Sequence, residues 1–283
     1  MITLKKGWNL ISVMKEININ DYSFILECYM FKSNKYEHVD IMIPFLGYWV
    51  YSNSNETIND KEVVIKKHAL FILGKVSYYG FNLTGHHKVA DDTKSWLIKN
   101  REFESSNIKT ISSANIVKNE INKLKDILTK PNNYVIIWYT GHAIQISSNE
   151  KEDHYDDEYW QHGMISDNLI TELINLTHTN SSLVIIADNC FSDGMVDKWK
   201  INGKTNWLFI SASREKGKDE YTSEFFTGDG GYMTYSLINC LGKEKSYSRE
   251  ELLKLLDGKY WNDPTGNKLH KPVILPENSK VNI

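Results

Sequence analysis

The sequence has few cysteines, almost no net charge and no long apolar run. Its 283 residues include only Cys28, Cys190 and Cys240, an odd number without the short spacing of a zinc site. We therefore expect no disulfide framework and a reducing compartment. The 33 basic and 36 acidic residues nearly balance, which argues against a nucleic acid or an anionic membrane as partner.

Signals for export and membrane insertion are also missing. The residues from Met1 to Trp8 lack the apolar segment of a signal peptide, and no run approaches the length of a membrane span. We expect a cytoplasmic protein without a membrane partner.

Two kinds of pattern divide the chain. Within residues 1–66, short runs of alternating polarity, rich in aromatic and β-branched residues, are separated by Asn, Ser and Gly. This is typical of a small all-β accessory domain, whose aromatic side chains we expect to fill a small core. Across residues 67–283, strand-like runs alternate with helical patterns, which predicts an α/β sandwich with a mostly parallel sheet.

Two apolar runs in the second domain end in polar residues. Residues 134–139 are followed by Thr-Gly-His-Ala, which contains His142, and residues 183–187 by Asp-Asn-Cys-Phe-Ser, which contains Cys190. Such runs predict parallel strands buried on both faces, and chemistry in parallel sheets lies just past the carboxyl ends of the strands. We expect His142 and Cys190 to meet there, because a thiol nucleophile needs a neighbouring imidazole.

Helix signals lie between these strands. Asp92 is the predicted N-cap of one helix, Ser112-Ser113 begins a second, and Met164 begins a third. Ser248 opens a further helix with a capping-box pattern. The second helix carries an apolar face at helical spacing, formed by Val117, Ile121, Leu124 and Leu128.

The two polar strand ends carry a family resemblance. Tyr139-Thr-Gly-His-Ala143 resembles the Tyr-Ser-Gly-His-Gly motif of caspase-like cysteine peptidases, and Asp188-Asn-Cys-Phe-Ser192 resembles the Asp-x-Cys-His-Ser motif of their metacaspase branch. The resemblance covers residues 68–257 and implies a caspase-like α/β/α sandwich. Residues 1–66 resemble, more weakly, β-modules with the pattern GWNLIS and GYWV that are appended to some microbial proteins.

The resemblance implies the roles of the reacting groups. Cys190 is the expected nucleophile and His142 the expected general base and acid. The backbone N–H groups of Cys190 and of Ala143 or Gly141 are the expected oxyanion donors. The family has Gly where Ala143 stands, a change that threatens the local backbone angles rather than the donor. Phe191 replaces the family's His, which is not expected to be the base.

The resemblance also implies specificity for a basic side chain. Asp188 and Asp92 are expected to bind the Lys or Arg that precedes the cleaved bond, with Asp91 as the alternative to Asp92. Two simpler interpretations stay open, since Asp188 would also cap a loop and Asp92 its own helix. The other expected substrate-binding residues are Thr140, Ser211 and Ser213.

Calcium is the metal that the resemblance implies, as an activator rather than a participant in the chemistry. Its expected ligands are Asp157, Asp167 and Asp197. Against calcium, the family's paired Asp is reduced here to Asp167-Asn168. The acidic run 150–158 would equally be a solvated loop.

We therefore predict a metacaspase-like cysteine endopeptidase that cleaves polypeptides after Lys or Arg. By the family's example we expect a monomer, and lysines 198–204 suggest self-processing there. Two alternatives stay open. The departures at Ala143 and Phe191 would suit a catalytically weak pseudo-peptidase that acts as a scaffold, and a related peptidase would differ in specificity.

Overall fold

The structure is a computed structural model. It describes residues 2–13, 17–32, 35–42, 46–58, 65–74, 77–78, 81–82, 86–146, 157–189, 192–201, 203–212, 233–234, 237–238, 241, 246–256 and 273–283. The chain forms two compact units, Met1–Val64 and Ile65–Ile283. The sequence places the boundary at residue 66, close to this division.

The N-terminal unit is built from short antiparallel strands. These are β1 (Ile2–Leu4), β2 (Gly7–Ser12), β3 (Ile17–Asn18), β4 (Ile25–Lys32), β5 (Lys35–His38), β6 (Ile41–Met42), β7 (Gly47–Ser52) and β8 (Glu56–Ile58). Four of them form a sheet in the order β2-β7-β4-β5, while β1 pairs with β8 and β3 with β6.

The alternation of side chains along these strands decides which aromatics are buried. Tyr48 is fully buried in the core of the unit, together with Cys28. Its neighbour Trp49 points to the other face, as does Trp8, which is 51% exposed. The expectation that the aromatics fill the core therefore holds for Tyr48, but it is wrong for Trp8 and for Tyr36, which is 58% exposed.

The second unit alternates strands and helices. Its strands are β9 (Lys66–Leu73), β10 (Ser77–Tyr78), β11 (Phe81–Asn82), β12 (Ile108–Ile111), β13 (Asn133–Thr140), β14 (Ala143–Ile146), β15 (Asp157–Trp160), β16 (Ile165–Ser166), β17 (Ser182–Asp188), β18 (Trp207–Ser211) and β19 (Val273–Leu275). Its α-helices within the described residues are α1 (His86–Arg101), α2 (Ala114–Leu128), α3 (Asp167–Leu176) and α4 (Arg249–Leu256). Short 3-10 helices cover Ser105–Asn107, Ser192–Met195 and Lys198–Lys200.

A six-stranded sheet lies at the centre of this unit, in the order β12-β9-β13-β17-β18-β19. Every neighbouring pair is parallel except β18 with β19. One face packs against apolar residues of α1 and α4, and the other against those of α2 and α3. The predicted fold class, a three-layer α/β/α sandwich preceded by a β-rich region, is confirmed. No helix within the described residues is long and apolar enough to cross a membrane.

The helix signals gave mixed results. Ser113 is the N-cap residue of α2, and the predicted apolar face of α2 is buried. Ser248 and Glu251 hydrogen-bond each other's backbone N–H groups, so the capping box before α4 is confirmed. The predicted start at Asp92 is wrong, because α1 already begins at His86 and Asp92 lies in its interior. The third helix begins at Asp167, three residues later than predicted, with the Ser166 hydroxyl as its cap.

Candidate active site

The two motif-bearing strands lie side by side. β13 and β17 are parallel neighbours, and their last residues, Thr140 and Asp188, stand opposite each other in the register. The backbone N–H of Gly141 points at the Asp188 carbonyl, 3.5 Å away, so the two strands separate only beyond this point. His142 therefore leaves the sheet beside the segment that leads into Cys190.

Cys190 itself and Phe191 lie outside the described residues. The residues on either side are described, and both Asn189 and Ser192 are buried. His142 is also buried, with 5% of its surface exposed. The predicted pairing of His142 with Cys190 stays a prediction. The arrangement of their strands agrees with it.

Two glycines let the His142 loop approach the neighbouring strand. A Cβ atom on Gly141 would lie 2.7 Å from the Cα of Gly74 and 2.9 Å from the hydroxyl oxygen of Tyr139. The φ angle of Gly141, +155°, is one that glycine adopts readily and other residues avoid. Gly74 in turn donates its N–H to the Thr140 carbonyl at 2.7 Å. The motif glycine is therefore required by packing.

Tyr139 holds the backbone of His142. Its hydroxyl donates to the His142 carbonyl, and its ring stacks on Trp160 with centroids 4.4 Å apart and planes inclined by 2°. Both rings are fully buried. The N–H of Gln161 also donates to the His142 carbonyl, at 3.0 Å. Sequence reasoning assigned no role to Tyr139, although it is the first residue of the motif.

Ala143 fits its position without strain. It is the first residue of β14 and stands opposite Trp160 of β15. The N–H of Gln161 bonds the carbonyl of His142, the residue before Ala143, so Ala143 and Trp160 themselves exchange no backbone hydrogen bond. The N–H of Ala143 therefore points away from β15. The expected disturbance of the local backbone is therefore absent, since an extended residue tolerates a Cβ atom.

Asp188 is a buried carboxylate that already has a structural bond. It is 7% exposed, and its Oδ2 accepts a hydrogen bond from the N–H of Thr234 at 2.9 Å. The Thr234 hydroxyl accepts one from the Trp138 indole at 3.0 Å. Buried carboxylates need such donors. Asp188 therefore anchors residues 233–234, which agrees with the loop-capping interpretation.

Of the other expected substrate-binding residues, Thr140 and Ser211 lie at neighbouring strand ends beside Asp188, whereas Asp92 lies on α1. Thr140 is buried beside Asp188. Asp92 is exposed on α1, whereas Asp188 is buried. Ser211 ends β18 between two strands, and its hydroxyl donates to the Val273 carbonyl at 3.4 Å. Ser213 lies outside the described residues.

The acidic run 150–158 ends in a residue that is not solvated. Glu158 lies in β15 with 2% of its surface exposed, so for this residue the interpretation as a solvated loop is wrong. Its carboxyl group packs against Gly194, where a Cβ atom would overlap it. Gly194 belongs to the 3-10 helix Ser192–Met195, so Glu158 packs against the segment that follows Cys190 in the sequence.

The expected calcium ligands show no metal site in the described part of the chain. Within that part, no three His, Cys, Asp or Glu side chains are grouped to hold an ion, although the side chain of Asp157 lies outside it. Asp167 accepts a hydrogen bond from the N–H of Asn168. Asp197 accepts one from Lys200. Asp167 Oδ1 and Asp197 Oδ2 therefore already accept hydrogen bonds, and the described carboxylates do not form a calcium site.

Comparison with known protein families supports the resemblance to metacaspases that the two motifs suggested. The sequence model of the family described as metacaspase, peptidase C14 domain, matches residues 67–199. The match confirms the resemblance to metacaspases. The match also supports the interpretation of this metacaspase-like domain as a caspase-like cysteine peptidase. The matched segment includes both motifs and ends before β18.

The fold also has solved counterparts. The chain is similar to the crystal structure of protein GSU0716 from Geobacter sulfurreducens, with a TM-score of 0.53 and 15% sequence identity. The similarity covers 74% of this chain and 92% of that one. At this identity the likeness concerns the fold and not the activity. No curated protein sequence matches the chain.

Proposed function

We propose that the metacaspase-like domain is a cysteine endopeptidase that cleaves polypeptides after Lys or Arg. The observation that carries the proposal is the register of β13 and β17. Thr140 and Asp188 stand opposite each other, and His142 and Cys190 each follow their strand's paired residue by two positions. Side chains so placed leave the same edge of a parallel sheet.

The reaction would proceed through an acyl-enzyme. The Cys190 thiolate attacks the carbonyl carbon, and the carbon–nitrogen bond then breaks as His142 gives its proton to the departing amine. A water molecule next loses a proton to His142 and attacks the thioester. The acid product leaves and the Cys190 thiolate is restored.

The geometry favours one of the two expected oxyanion donors beside Cys190. The N–H of Gly141 is directed at the Asp188 carbonyl, whereas the N–H of Ala143 points away from β15. A donor already aimed at another oxygen is less able to stabilise the oxyanion. Ala143 is therefore the better partner for the N–H of Cys190.

A buried carboxylate supports specificity for a basic side chain. Asp188 and Thr140 lie together at the strand ends, and a Lys or Arg side chain would form charge-assisted hydrogen bonds with the carboxylate. Oδ2 keeps its bond to Thr234, because a carboxylate accepts several hydrogen bonds. Asp92 stays the proposed second carboxylate of the pocket.

Turnover of short fluorogenic peptides tests the proposal. We expect release from peptides ending in Arg or Lys, none from those ending in Asp or Asn, and none by Cys190→Ala or His142→Gln. Cys28→Ala is the matched control and should retain activity, because Cys28 lies in the core of the N-terminal unit. Asp188→Asn should lower turnover of Arg peptides by at least about tenfold. Release from none of the peptides would favour the scaffold alternative instead.

Self-processing within 198–204 is a second part of the proposal. In the folded protein each lysine of this segment is bonded: Lys198 to Asp193, Lys200 to Asp197, and Lys204 to the backbone carbonyl of Thr177. Cleavage there requires the segment to leave these partners, so we expect it to be slow. A Cys190→Ala protein that is cut in this segment as fast as the wild type would contradict self-processing.

A further inference from the structure

We propose that the Lys200 ammonium group permanently supplies the positive charge at the place where the sequence predicts calcium. The metacaspase-like domain would then need no calcium. The site consists of Asn168, Asp197 and Lys200, which come from two separate segments. Activity without calcium, the regulatory consequence, rests on the proposed peptidase function. Calcium binding, which the experiment measures, does not depend on that function.

The ammonium group bridges the two segments. Lys200 Nζ lies 2.9 Å from the Oδ1 of Asn168, at the start of α3, and 3.0 Å from the Oδ2 of Asp197. Only 11% of the Asp197 side chain and 25% of the Lys200 side chain are exposed. The Asp197 backbone is itself fixed to α3, because its N–H donates to the Thr171 hydroxyl at 3.0 Å.

Further contacts hold Lys200 in this position. Its backbone carbonyl accepts a hydrogen bond from the side-chain amide of Asn175, at 3.0 Å. Its ammonium lies 4.5 Å from the ring centroid of Trp199, a cation–π distance. Downstream, Lys204 donates to the carbonyls of Asn175 and Thr177 at the C-terminal end of α3. Lys200 and Lys204 thus tie this part of the chain to both ends of the helix.

Calcium and the ammonium group cannot share these oxygens. Calcium needs six to eight oxygen ligands at about 2.3–2.6 Å, and a lysine charge within hydrogen-bond distance of the same oxygens would repel it. The expected ligand Asp167 adds little, because it is buried and accepts a hydrogen bond from the adjacent N–H of Asn168. Calcium would have to displace Lys200 before it could bind.

The bridge has a consequence for the active site. The segment that it ties to α3 is the one that follows Cys190 in the sequence. In this chain the segment would be held in place at all calcium concentrations. The proposed peptidase would accordingly be active without calcium.

Calcium titration of the full chain, followed by calorimetry and thermal unfolding, tests the inference. We expect wild-type protein to show no rise in Tm with CaCl2 up to about 10 mM beyond that with MgCl2. Lys200→Met frees Asp197 and Asn168, so its Tm should fall and then rise by at least about 2 °C with CaCl2. Lys198→Met is the matched control, because Lys198 pairs with Asp193, and it should show no calcium response.

Each outcome of these titrations either supports or contradicts the role of Lys200. A calcium-specific rise in the wild type that Asp197→Asn abolishes would overturn the inference. So would a Lys200→Met protein that responds to calcium no more than Lys198→Met does. If Lys200→Met does not fold, Lys200→Gln replaces it with the same expectation. Neither readout requires peptide cleavage, so an inactive protein that behaves as expected here would contradict only the proposed function.

Discussion

The hydroxyl of Tyr139 donates a hydrogen bond to the backbone carbonyl of His142, three residues further along the chain. The Tyr139 ring cannot move away, because it is fully buried and stacked on Trp160. The hydrogen bond therefore attaches the turn that carries His142 to the end of β13. Tyr139 acts as a positioning residue, since it touches the backbone of the expected base and not the reacting atoms.

Tyr139→Phe should separate positioning from packing. The variant keeps the ring on Trp160 and removes the hydroxyl that bonds the His142 carbonyl, so the free energy of unfolding should fall by about 1 kcal/mol. We expect kcat for an Arg peptide to fall about tenfold with little change in KM, because the imidazole is less well oriented. Steady-state kinetics and urea unfolding measure the two effects.

Tyr134→Phe is the matched control for this change. Tyr134 lies on the same strand, and its hydroxyl donates to the Asn282 carbonyl at 2.7 Å near the opposite end of β13. A comparable loss of stability with unchanged kcat is expected. Equal kcat values for the two variants would show that the bond from Tyr139 has only a structural role.

Gly141→Ala should damage the same turn sterically. The new Cβ would meet the Cα of Gly74 at 2.7 Å, and a backbone atom cannot rotate away as a side chain would. We expect a loss of about 2–3 kcal/mol in unfolding free energy and of most peptidase activity. Gly47→Ala is the control, because nothing lies within 4 Å of the added Cβ. A Gly141→Ala protein as stable and active as wild type would contradict this packing argument.

The sequence correctly predicted the strands that are buried on both faces. β13 and β17 are buried on both faces, so their apolar runs were sufficient to predict strands and the placement of His142 at a strand end. The start of α1 was mispredicted because Asp92 looked like a cap. The buried positions Val89, Thr93 and Trp96 follow helical spacing from before Asp92, and they would have given an earlier start.

Sequence patterns could not predict the contacts between segments that lie far apart in the chain. Lys200 meets Asn168 only because the chain returns along α3, and no spacing rule connects the two residues. Glu158 was similarly misjudged, since an acidic run gives no sign that its last residue packs against Gly194. In the N-terminal unit, composition alone did not show which aromatics lie on the buried face of the sheet.

Cys28 should be chemically inert in the folded protein. Burial, assisted by the negative charge of Asp40, raises the pKa of its thiol to about 12. At pH 7.5 the thiolate fraction is then about 10³-fold lower than for a free cysteine, and alkylation by iodoacetamide slows accordingly. Peptide mapping by mass spectrometry should find Cys28 unlabelled until the protein is unfolded in urea. Labelling at equal rates with and without urea would contradict the burial of this thiol.

His162 should make the protein sensitive to acid. Burial lowers the pKa of its imidazole despite a hydrogen bond with the backbone of Ser112, so the folded protein keeps His162 neutral where the unfolded chain protonates it. The unfolded state then binds more protons, and the free energy of unfolding falls as the pH drops below about 6.5. Burial also lowers the pKa of His68, which adds to the same trend.

His162→Gln measures this contribution. The variant removes the titrating group, so it should lose less stability than the wild type between pH 7.5 and pH 5.5. The difference is at most about 1.4 kcal/mol, because pH 5.5 lies only about one unit below the pKa of a histidine in the unfolded chain. His68→Gln should show a change of the same sign. Urea unfolding at several pH values provides the comparison. If His162→Gln and wild-type protein lose the same stability on acidification, protonation of His162 is not coupled to unfolding.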